Sequence, residues 1–209
     1  MTANHTRAKQ RIFLIGLAGH AYAGKDTAAG MLADLARPYM DVTVRAFAFP
    51  MREMLSAIIP HSYMHEPAKK ELPVPGIGAS YRELAQTLGT DWGRRHFGDI
   101  WVRIMEQAIF ADESQFGRLG RHHLVLIPDV RFVSESTWIH QHGGHVIRLQ
   151  RAEAANTRSH VSEREWLDLA ADAEINNDGT LGALRQKLVG ALLDFSIIQQ
   201  VQADQVHAA

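Results

Sequence analysis

Cysteine is absent from the 209 residues, which excludes disulfide bonds, thiolate metal sites and a cysteine nucleophile. No apolar run approaches the roughly 20 residues that a membrane-spanning helix requires. The formal net charge of −1 gives no general attraction to nucleic acid or to anionic membranes. We therefore expect small-molecule substrates, no nucleic-acid or membrane partner, and a reducing compartment, with the cytoplasm as the default.

Lysine is also scarce, with five lysines among 22 basic residues, so that 17 are arginine. Arginine suits bidentate phosphate binding, although a compositional bias of the genome explains the count equally well. The length and the 46% hydrophobic content suit one domain with a substantial core. We predict a disordered tail at 1–10, a single domain at 11–196 and a C-terminal tail at 197–209. That last tail either extends the final helix into a partner, as in a homodimer, or frays.

The most informative stretch is the loop at 19–27, where Gly19 is followed, after four residues, by Gly24 and Lys25. This is the spacing of a phosphate-binding P-loop, and it lies between the apolar run 12–15 and a helical pattern. Glycines let the backbone curl around a phosphate, the helix offers free N–H groups, and the lysine reaches the β- and γ-phosphates. The alternative is a glycine-rich turn with a solvated lysine. The predicted nucleotide-binding residues are Gly19, His20, Ala21, Tyr22, Ala23, Gly24, Lys25, Asp26 and Thr27.

Two acidic positions are candidates for binding Mg²⁺. Asp26 stands where a P-loop normally carries a metal-ligating Ser or Thr, and Thr27 follows it. Asp129 follows the continuous apolar run 124–127, a place where P-loop enzymes hold the metal through water. Arg131, two residues on, is expected in the same crevice. In the alternative interpretation, Asp129 caps the next helix and Arg131 pairs with it.

Strand and helix patterns alternate along the chain, which predicts a three-layer α/β fold with a mainly parallel sheet of about five strands. Residues 60–79 contain four prolines and two glycines and are interpreted as a mobile loop or small insertion. The predicted strands are 11–17, 42–47, 124–127, 145–149 and 173–176. The predicted helices follow the P-loop as far as Pro38, then cover 50–58, 80–88 (ended by Gly89), a stripe of Trp101, Met105, Ala108 and Ile109, 132–141 and 181–195.

Two groups of arginines suggest anion binding. Arg151 and Arg158 share a face if helical and, with Arg148 and neighbouring polar residues, make either a lid or a solvated helix face. Arg82 and Arg94 flank a polar turn with a tryptophan, which suits a second phosphate and a stacked base. Alternatively, the tryptophans of this region are core and the arginines are surface. His140, His142 and His145 lack a metal-binding pattern and are interpreted as surface residues.

Taken together, the motifs resemble the P-loop deoxynucleoside monophosphate kinases of the bacteriophage type, over about residues 11–195. The shared pieces keep their order and spacing, and Asp after the P-loop lysine is itself common in that family. They are the P-loop, Phe47-Ala-Phe-Pro50, Leu84-Ala-Gln-Thr-Leu-Gly89-Thr-Asp-Trp-Gly-Arg94, Asp99-Ile-Trp101-Val, Ile127-Pro-Asp129-Val-Arg131-Phe, Gly143-Gly144, Val146-Ile-Arg148, His160-Val-Ser162-Glu163 and Ile175-Asn-Asn-Asp-Gly179.

The resemblance implies a nucleoside-monophosphate-kinase-like fold with a small lid at about 151–163, MgATP as donor and a deoxynucleoside monophosphate as acceptor. It places the acceptor region at about 50–101 and the turn with Asn177 and Gly179 near the donor base. The catalytic residues it suggests are Lys25, Asp26, Arg131, Arg151 and Arg158; the metal residues are Asp26, Thr27 and Asp129; the acceptor residues are Phe47, Arg82, Gln86, Thr90, Asp91, Arg94 and Trp101.

Two P-loop positions depart from the family pattern. His20 and Tyr22 stand where relatives often carry Lys and a small residue, and this bears on rate and nucleotide preference. Neither change touches Lys25. Two other functions remain open from the sequence: a P-loop kinase of another small acceptor, such as a nucleoside or coenzyme precursor, and a non-catalytic ATP-binding regulatory module.

Overall fold

The computed structural model describes residues 11–116, 122–152 and 167–206. None of the helices in these ranges is long and apolar enough to cross a membrane. The strands are β1 (Ile12–Ala18), β2 (Asp41–Val44), β3 (His123–Val130), β4 (His145–Gln150) and β5 (Ala173–Asn176). The helices are α1 (Lys25–Ala36), α2 (Phe49–Ser56), α3 (His61–His65), α4 (Tyr81–Gln86), a π-helix (Thr87–Arg94), α5 (Arg95–Phe97), α6 (Ile100–Phe116), α7 (Val133–Gln141), α8 (Leu181–Asp194) and α9 (Ile197–Val206).

The chain divides into two compact units, the first comprising Met1–Arg45 and Ala108–Ala209 and the second Ala46–Gln107. The described part of the first unit holds a five-stranded sheet in the order β2-β3-β1-β4-β5, in which every pairing is parallel. This confirms the predicted α/β fold with a mainly parallel sheet. Because β1 lies in the middle, the loop that follows it emerges at the carboxyl edge of the sheet, where α/β proteins bind ligands.

Both faces of the central strand are covered, as expected of a parallel sheet. On one face, Ile15 and Leu17 lie in a buried cluster with side chains of α1, α8 and α9. On the other face, Ile139 of α7 lies against Gly16, where an added Cβ would be only 2.6 Å from Ile139 Cδ1. Packing on both sides therefore fixes the strand that delivers the P-loop.

Helix α9 differs from the predicted C-terminal tail. Ile197 and Val201 are buried in the cluster of the first unit, so this segment neither frays nor offers those side chains to a partner. Arg11 Nε and Asp204 Oδ2 lie 3.0 Å apart, which joins α9 to the residue before β1. Only one side of the helix is apolar. The glutamines on its other side led to the prediction of a tail that frays or binds a partner.

Some predicted boundaries and apolar stripes are wrong in detail. Strand β2 ends at Val44 instead of residue 47, although the Arg45 N–H still donates to the Leu126 carbonyl at 2.9 Å. The chain then turns into α2. Ala108 was assigned to an apolar stripe and is exposed. Leu181, the first residue of α8, is also exposed and lies one turn before the residues that pack.

The second unit has its own small core, and the proline-rich segment 60–79 is part of it. This segment contains helix α3, and it buries Met64 and Val74, so it is more than the predicted irregular loop. The Val74 N–H donates to the Ala79 carbonyl at 2.9 Å. The prolines interrupt regular structure, but the apolar residues between them still pack. The buried members of this core are Met51, Leu55, Ile59, Met64, Val74 and Trp101.

The start of helix α4 confirms the predicted capping box. Ser80 Oγ accepts a hydrogen bond from the Glu83 N–H at 3.2 Å, and Glu83 Oε2 accepts one from the Ser80 N–H at 2.8 Å. This reciprocal pair satisfies two N–H groups that a helix start otherwise leaves unpaired. The helix therefore begins where the sequence places it.

The predicted end of that helix at Gly89 is wrong. Helical structure continues through the π-helix and α5 and ends at Gly98, whose φ is +56°. Gly89 serves packing instead: a Cβ there would lie 2.8 Å from Met51 Sδ, and its carbonyl accepts a hydrogen bond from Trp101 Nε1 at 2.8 Å. The glycine was mistaken for a helix terminator because its role depends on a contact with a residue distant in sequence.

Histidines 140, 142 and 145 lie around the start of β4. His140 Nε2 is 2.9 Å from Asp172 Oδ2, and His142 Nδ1 makes a 2.8 Å hydrogen bond to a carbonyl of α7. The ring of His145 stacks on Phe195 with 4.1 Å between centroids. Each ring thus has a structural contact. Within the described ranges, no group of three or more His, Cys, Asp or Glu side chains could hold a metal ion.

Two imidazoles of the first unit predict how stability depends on pH. Burial lowers the pKa of His122 below its ordinary value of 6.5, although the charge of Asp204 raises it in part. Burial also lowers the pKa of His145, against the opposing charge of Asp172. Between the folded and unfolded pKa values of these histidines, the unfolded chain binds more protons than the folded one. The free energy of unfolding is therefore highest above about pH 6.5 and decreases as the pH falls below it.

We therefore expect the thermal unfolding midpoint to fall by a few degrees between pH 7.5 and pH 5.5, measured by circular dichroism. In His122→Asn the drop should be smaller, because asparagine has no imidazole to protonate. The amide oxygen can still accept the hydrogen bond that the Arg11 N–H donates to His122 Nδ1 at 3.3 Å. The exposed His96→Asn serves as the control and should behave as wild type. An equal drop in all three proteins would show that these buried histidines do not set the pH response.

Candidate nucleotide-binding site

The loop between β1 and α1 has a backbone that requires glycine at both ends. Gly19 has φ +141°, and a Cβ there would lie 2.3 Å from the Leu149 carbonyl oxygen. Gly24 has φ +93°, and a Cβ there would lie 2.5 Å from Asn177 Nδ2. Both positions thus combine a left-handed conformation with close contacts. The glycines of the motif are explained by this loop shape.

Lys25 is the first residue of α1, and its ammonium group is held by the loop itself. Lys25 Nζ donates to the carbonyl of Gly19 at 2.8 Å and to that of His20 at 2.6 Å. The side chain is half-buried and lies along the loop instead of extending into solvent. This arrangement puts a positive charge beside the backbone curl, where an anion would be attracted.

The centre of the loop contains one strained residue. Tyr22 adopts φ +66° and is 66% exposed, while Ala23 is fully buried and its N–H donates to the His20 carbonyl at 3.2 Å. A left-handed conformation is unfavourable for a tyrosine and persists only where the surroundings impose it. Tyr22, which departs from the family pattern, is thus also the strained residue at the tip of the loop. Ala21 lies directly before Tyr22.

Asp26 and Thr27 lie in the first turn of α1, and both are exposed. The Ala28 N–H donates to the Gly24 carbonyl at 2.9 Å. The N–H groups that precede the first such bond of an α-helix generally have no acceptor within the helix itself. A helix start of this kind attracts phosphate through its N–H groups and dipole. The carboxylate and hydroxyl side chains here are hard-oxygen donors of the kind that bind Mg²⁺.

Asp129 lies near the carboxyl end of β3 and is only 8% exposed. Its neighbour Val130 is paired with Ala18, the last residue of β1, so the strand ends that carry Asp129 and the P-loop are adjacent. Magnesium in nucleotide sites is usually held by one or two carboxylates together with phosphate oxygens and water. Asp26 and Asp129 fit that donor set.

Capping of α7 falls to a residue that the sequence did not suggest. Glu135 is buried, and its Oε2 accepts hydrogen bonds from the Arg131 N–H at 2.7 Å and the Phe132 N–H at 3.1 Å. Phe132, and not Asp129, occupies the N-cap position of α7. The four-residue spacing from Arg131 to Glu135 was the available signal, but the position lacks the Ser or Thr that marks a capping box.

The turn after β5 also contacts the P-loop. Asn177 Nδ2 donates to the Ala23 carbonyl at 2.9 Å. Gly179 is exposed and precedes Thr180, the N-cap of α8, whose Oγ1 accepts from the Ala183 N–H at 3.2 Å. The Asn177 side chain thus contacts the backbone of the P-loop. The family resemblance placed Asn177 near the donor base and did not predict this contact.

The predicted lid falls largely outside the described residues. Arg158 and the rest of 153–166 are not described, and Arg151 is exposed. Arg148, which the sequence grouped with them, is a structural residue: its guanidinium pairs with Glu174 and donates to the carbonyls of Leu169 and, at 3.2 Å, Leu167. Both terminal nitrogens of the guanidinium are bonded within the first unit, which differs from the anion clamp suggested by the sequence.

The predicted acceptor residues all belong to the second unit. Phe47 and Trp101 are 2% and 3% exposed, so each offers almost no surface to a ligand. The Trp101 indole is also bonded to the Gly89 carbonyl, which makes it a core residue. Arg82 forms an ion pair with Glu71. The remaining candidates lie on α4 and the π-helix and are Gln86, Thr90, Asp91 and Arg94.

Trp92, the tryptophan of the polar turn that the sequence suggested for stacking a base, forms an exposed aromatic pair with Phe97, which the sequence did not suggest. Trp92 is 39% exposed, and its ring meets that of Phe97 edge-on with 5.1 Å between centroids. Gly93, next to it, packs so closely on Trp101 that a Cβ would be 2.6 Å from the ring. The π-helix thus exposes its own Trp92 and packs Gly93 against the buried Trp101 of α6. Helical periodicity alone does not predict this difference between the two tryptophans.

Comparison with known proteins identifies a family for much of the chain. Residues 77–188, more than half of the chain, match the family model described as "Deoxynucleotide monophosphate kinase". A protein of Acanthamoeba polyphaga mimivirus named "Putative deoxynucleotide monophosphate kinase" is 26% identical over 189 residues, covering 86% of this chain and 95% of that protein.

Solved structures with some similarity include a gluconokinase from Sinorhizobium meliloti 1021 (TM-score 0.45, 10% identity, 93% of this chain and 99% of that one). A dephospho-CoA kinase from Campylobacter jejuni is comparable (TM-score 0.45, 12% identity, 88% of this chain and 97% of that one). Likeness at this level says nothing about the acceptor. The match over residues 77–188 does identify the family, and the chain belongs to the deoxynucleotide monophosphate kinases and is a phosphotransferase.

Proposed function

We propose that the protein transfers the γ-phosphoryl group of MgATP to the 5′-phosphate of a deoxynucleoside monophosphate, giving ADP and the deoxynucleoside diphosphate. The observation that carries the proposal is the P-loop: two close-packed glycines, a helix start and a lysine ammonium group converge on one backbone curl. This combination suits the phosphates of a nucleoside triphosphate. Family membership supports the deoxynucleotide acceptor.

Catalysis in this proposal is mainly alignment and charge stabilisation. An acceptor phosphate is already ionised at neutral pH, so the reaction needs no strong general base. Lys25 and the loop N–H groups hold the donor phosphates, and Arg131 neutralises charge on the transferring group. Arg151 and Arg158 are proposed for the same task from the predicted lid. Preorganised donors of this kind act most strongly where water is excluded.

Asp26 and Asp129 are proposed to hold Mg²⁺, with Thr27 as an additional ligand. When bound, the metal would neutralise the phosphate oxygens of ATP. The residues fit the metal because they are hard-oxygen donors at adjoining loop and strand ends. Asp129, being largely buried, is the more constrained of the two carboxylates.

Acceptor binding is proposed for the exposed and half-buried polar side chains of the second unit. Arg94 and Arg82 would bind the acceptor phosphate, and Arg82 would then exchange or share its partner Glu71. Gln86, Thr90 and Asp91 would supply hydrogen bonds to the sugar and base. Phe47 and Trp101 contribute by shaping this region from within, because their rings are buried.

The test is ADP formation from MgATP with a panel of deoxy- and ribonucleoside monophosphates and a no-acceptor control. We expect ADP only with particular deoxynucleotides. A nucleoside or coenzyme precursor as the productive acceptor would leave the P-loop assignment intact and overturn the acceptor. ATP binding without any acceptor-dependent ADP would favour the non-catalytic alternative.

Replacing Asp129 with asparagine should raise the Mg²⁺ concentration needed for half-maximal activity by about ten- to hundredfold, the range typical of residues that support a metal site. The amide keeps the size of the side chain but removes its charge. Steady-state rates at saturating ATP over a range of Mg²⁺ give the value. Asp34→Asn is the matched control, because Asp34 is exposed and pairs only with Arg37 in the described structure. An unchanged Mg²⁺ requirement in Asp129→Asn would exclude this role.

A further inference from the structure

The turn at 176–178 is anchored to three parts of the first unit. The Asn177 N–H donates to the Gln150 carbonyl at the end of β4, at 2.7 Å. Lys187 Nζ of α8 donates to the Asn176 carbonyl at 2.6 Å. The Asn177 amide donates to the Ala23 carbonyl of the P-loop at 2.9 Å. The backbone at Asn177 is thus fixed from the sheet and from α8, and its side chain is presented to the loop.

The approach of this side chain depends on the glycine of the motif. A Cβ on Gly24 would lie 2.5 Å from Asn177 Nδ2, so the amide passes directly over Gly24 to reach Ala23. A carbonyl oxygen only accepts hydrogen bonds, so the Asn177 atom facing it is the NH₂ group. Ala23 is fully buried, and a backbone carbonyl in such a place needs a donor.

The contact fixes more than one atom of the loop. The peptide unit joining Ala23 to Gly24 is planar and trans, so its carbonyl and its N–H point in opposite directions. Holding the Ala23 carbonyl therefore also sets the direction of the Gly24 N–H, on the side away from Asn177. The Gly24 N–H belongs to the set of loop and helix-start N–H groups proposed to bind the donor phosphates.

We infer that Asn177 is a positioning residue of the P-loop, which acts by holding the Ala23–Gly24 peptide and not by binding the donor base. This inference rests on the proposed function for its consequence in ATP binding, but the loop contact itself does not. The side chain links the turn before α8 to the donor-phosphate loop. No covalent step is assigned to it.

Hydrogen exchange of the nucleotide-free protein tests the contact without relying on activity. In Asn177→Ala, we expect backbone amides of residues 20–27 to exchange about three- to tenfold faster, the change that corresponds to one lost hydrogen bond. Asn177→Asp should show the same, because it keeps the size but replaces the donor by an acceptor. Asn176→Ala is the matched control, since the Asn176 side chain bonds Asp178 within the turn and not the loop.

ATP titration then tests the consequence. We expect the Kd for ATP to rise about three- to tenfold in Asn177→Ala, with the KM for the acceptor unchanged, and Asn176→Ala to match wild type. Unchanged loop exchange in both Asn177 variants, or an equal increase in Asn176→Ala, would overturn the inference. Faster loop exchange in a protein whose wild type does not bind ATP would uphold the positioning role and refute the proposed function.

Discussion

Replacing Lys25 with alanine should lower kcat/KM by about 10²- to 10³-fold, which corresponds to about 3–4 kcal/mol of lost transition-state stabilisation. The lysine supplies a positive charge beside the loop that is proposed to bind the donor phosphates. It also bonds two loop carbonyls, at 2.8 and 2.6 Å, so its loss removes charge and loop support together. The measurement is the initial rate of ADP formation with the best acceptor of the panel.

Lys69→Ala is the control for this experiment, because Lys69 is solvent-accessible and pairs with Glu66 on the surface of the second unit. It should retain wild-type rates. Circular dichroism should show that Lys25→Ala remains folded at the assay temperature. Turnover within a few-fold of wild type in a folded Lys25→Ala protein would refute the assignment of Lys25.

Replacing Gly19 with alanine should lower the free energy of unfolding by about 2–4 kcal/mol and abolish nucleotide binding. The added Cβ would lie 2.3 Å from the Leu149 carbonyl oxygen, a backbone atom of the sheet that cannot rotate aside. The φ of +141° adds backbone strain that any residue with a Cβ must bear. Overpacking and strain of this kind each cost on the order of 1–3 kcal/mol.

Gly30→Ala offers a control with the opposite expected sign. Gly30 lies in the interior of α1, is exposed, and has no atom within 4 Å of an added Cβ. Alanine there should raise the free energy of unfolding by about 0.4–1 kcal/mol, because it restricts the unfolded chain without any clash. Urea unfolding of the two variants and wild type measures both. A Gly19→Ala protein as stable as wild type would show that the loop does not need the close approach to Leu149.

The sequence was most informative where function or local chemistry imposes a fixed spacing. The P-loop between a buried strand and a helix, the capping box of Ser80 and Glu83, and the parallel sheet are all confirmed. In each case, the sequence signal lies in a short stretch of the chain: the glycine spacing of the loop, the Ser-x-x-Glu of the cap, and the apolar runs that alternate with helical patterns. Backbone requirements of this local kind leave a pattern that one sequence is sufficient to reveal.

The predictions that differ from the structure depend on partners distant in the sequence. Gly89 continues a helix because Met51 and Trp101 pack around it. Arg148 is used by Glu174 and by loop carbonyls, so its position near other arginines in the sequence did not indicate an anion site. Asn177 contacts the P-loop across 154 residues. None of these contacts leaves a periodic or local signal, because the tertiary fold alone brings the partners together.

The central position of β1 also has a consequence for biosynthesis. Its two neighbours in the sheet are β3 and β4, and Ile12 is paired with His123, more than a hundred residues further along the chain. During translation, the apolar strand therefore leaves the ribosome well before either neighbour has been made. Residues 46–107, whose core is formed among themselves, are completed in between. The nascent chain must keep one hydrophobic strand soluble until the second half is synthesised, so folding yield in the cell should depend on translation speed and chaperone supply.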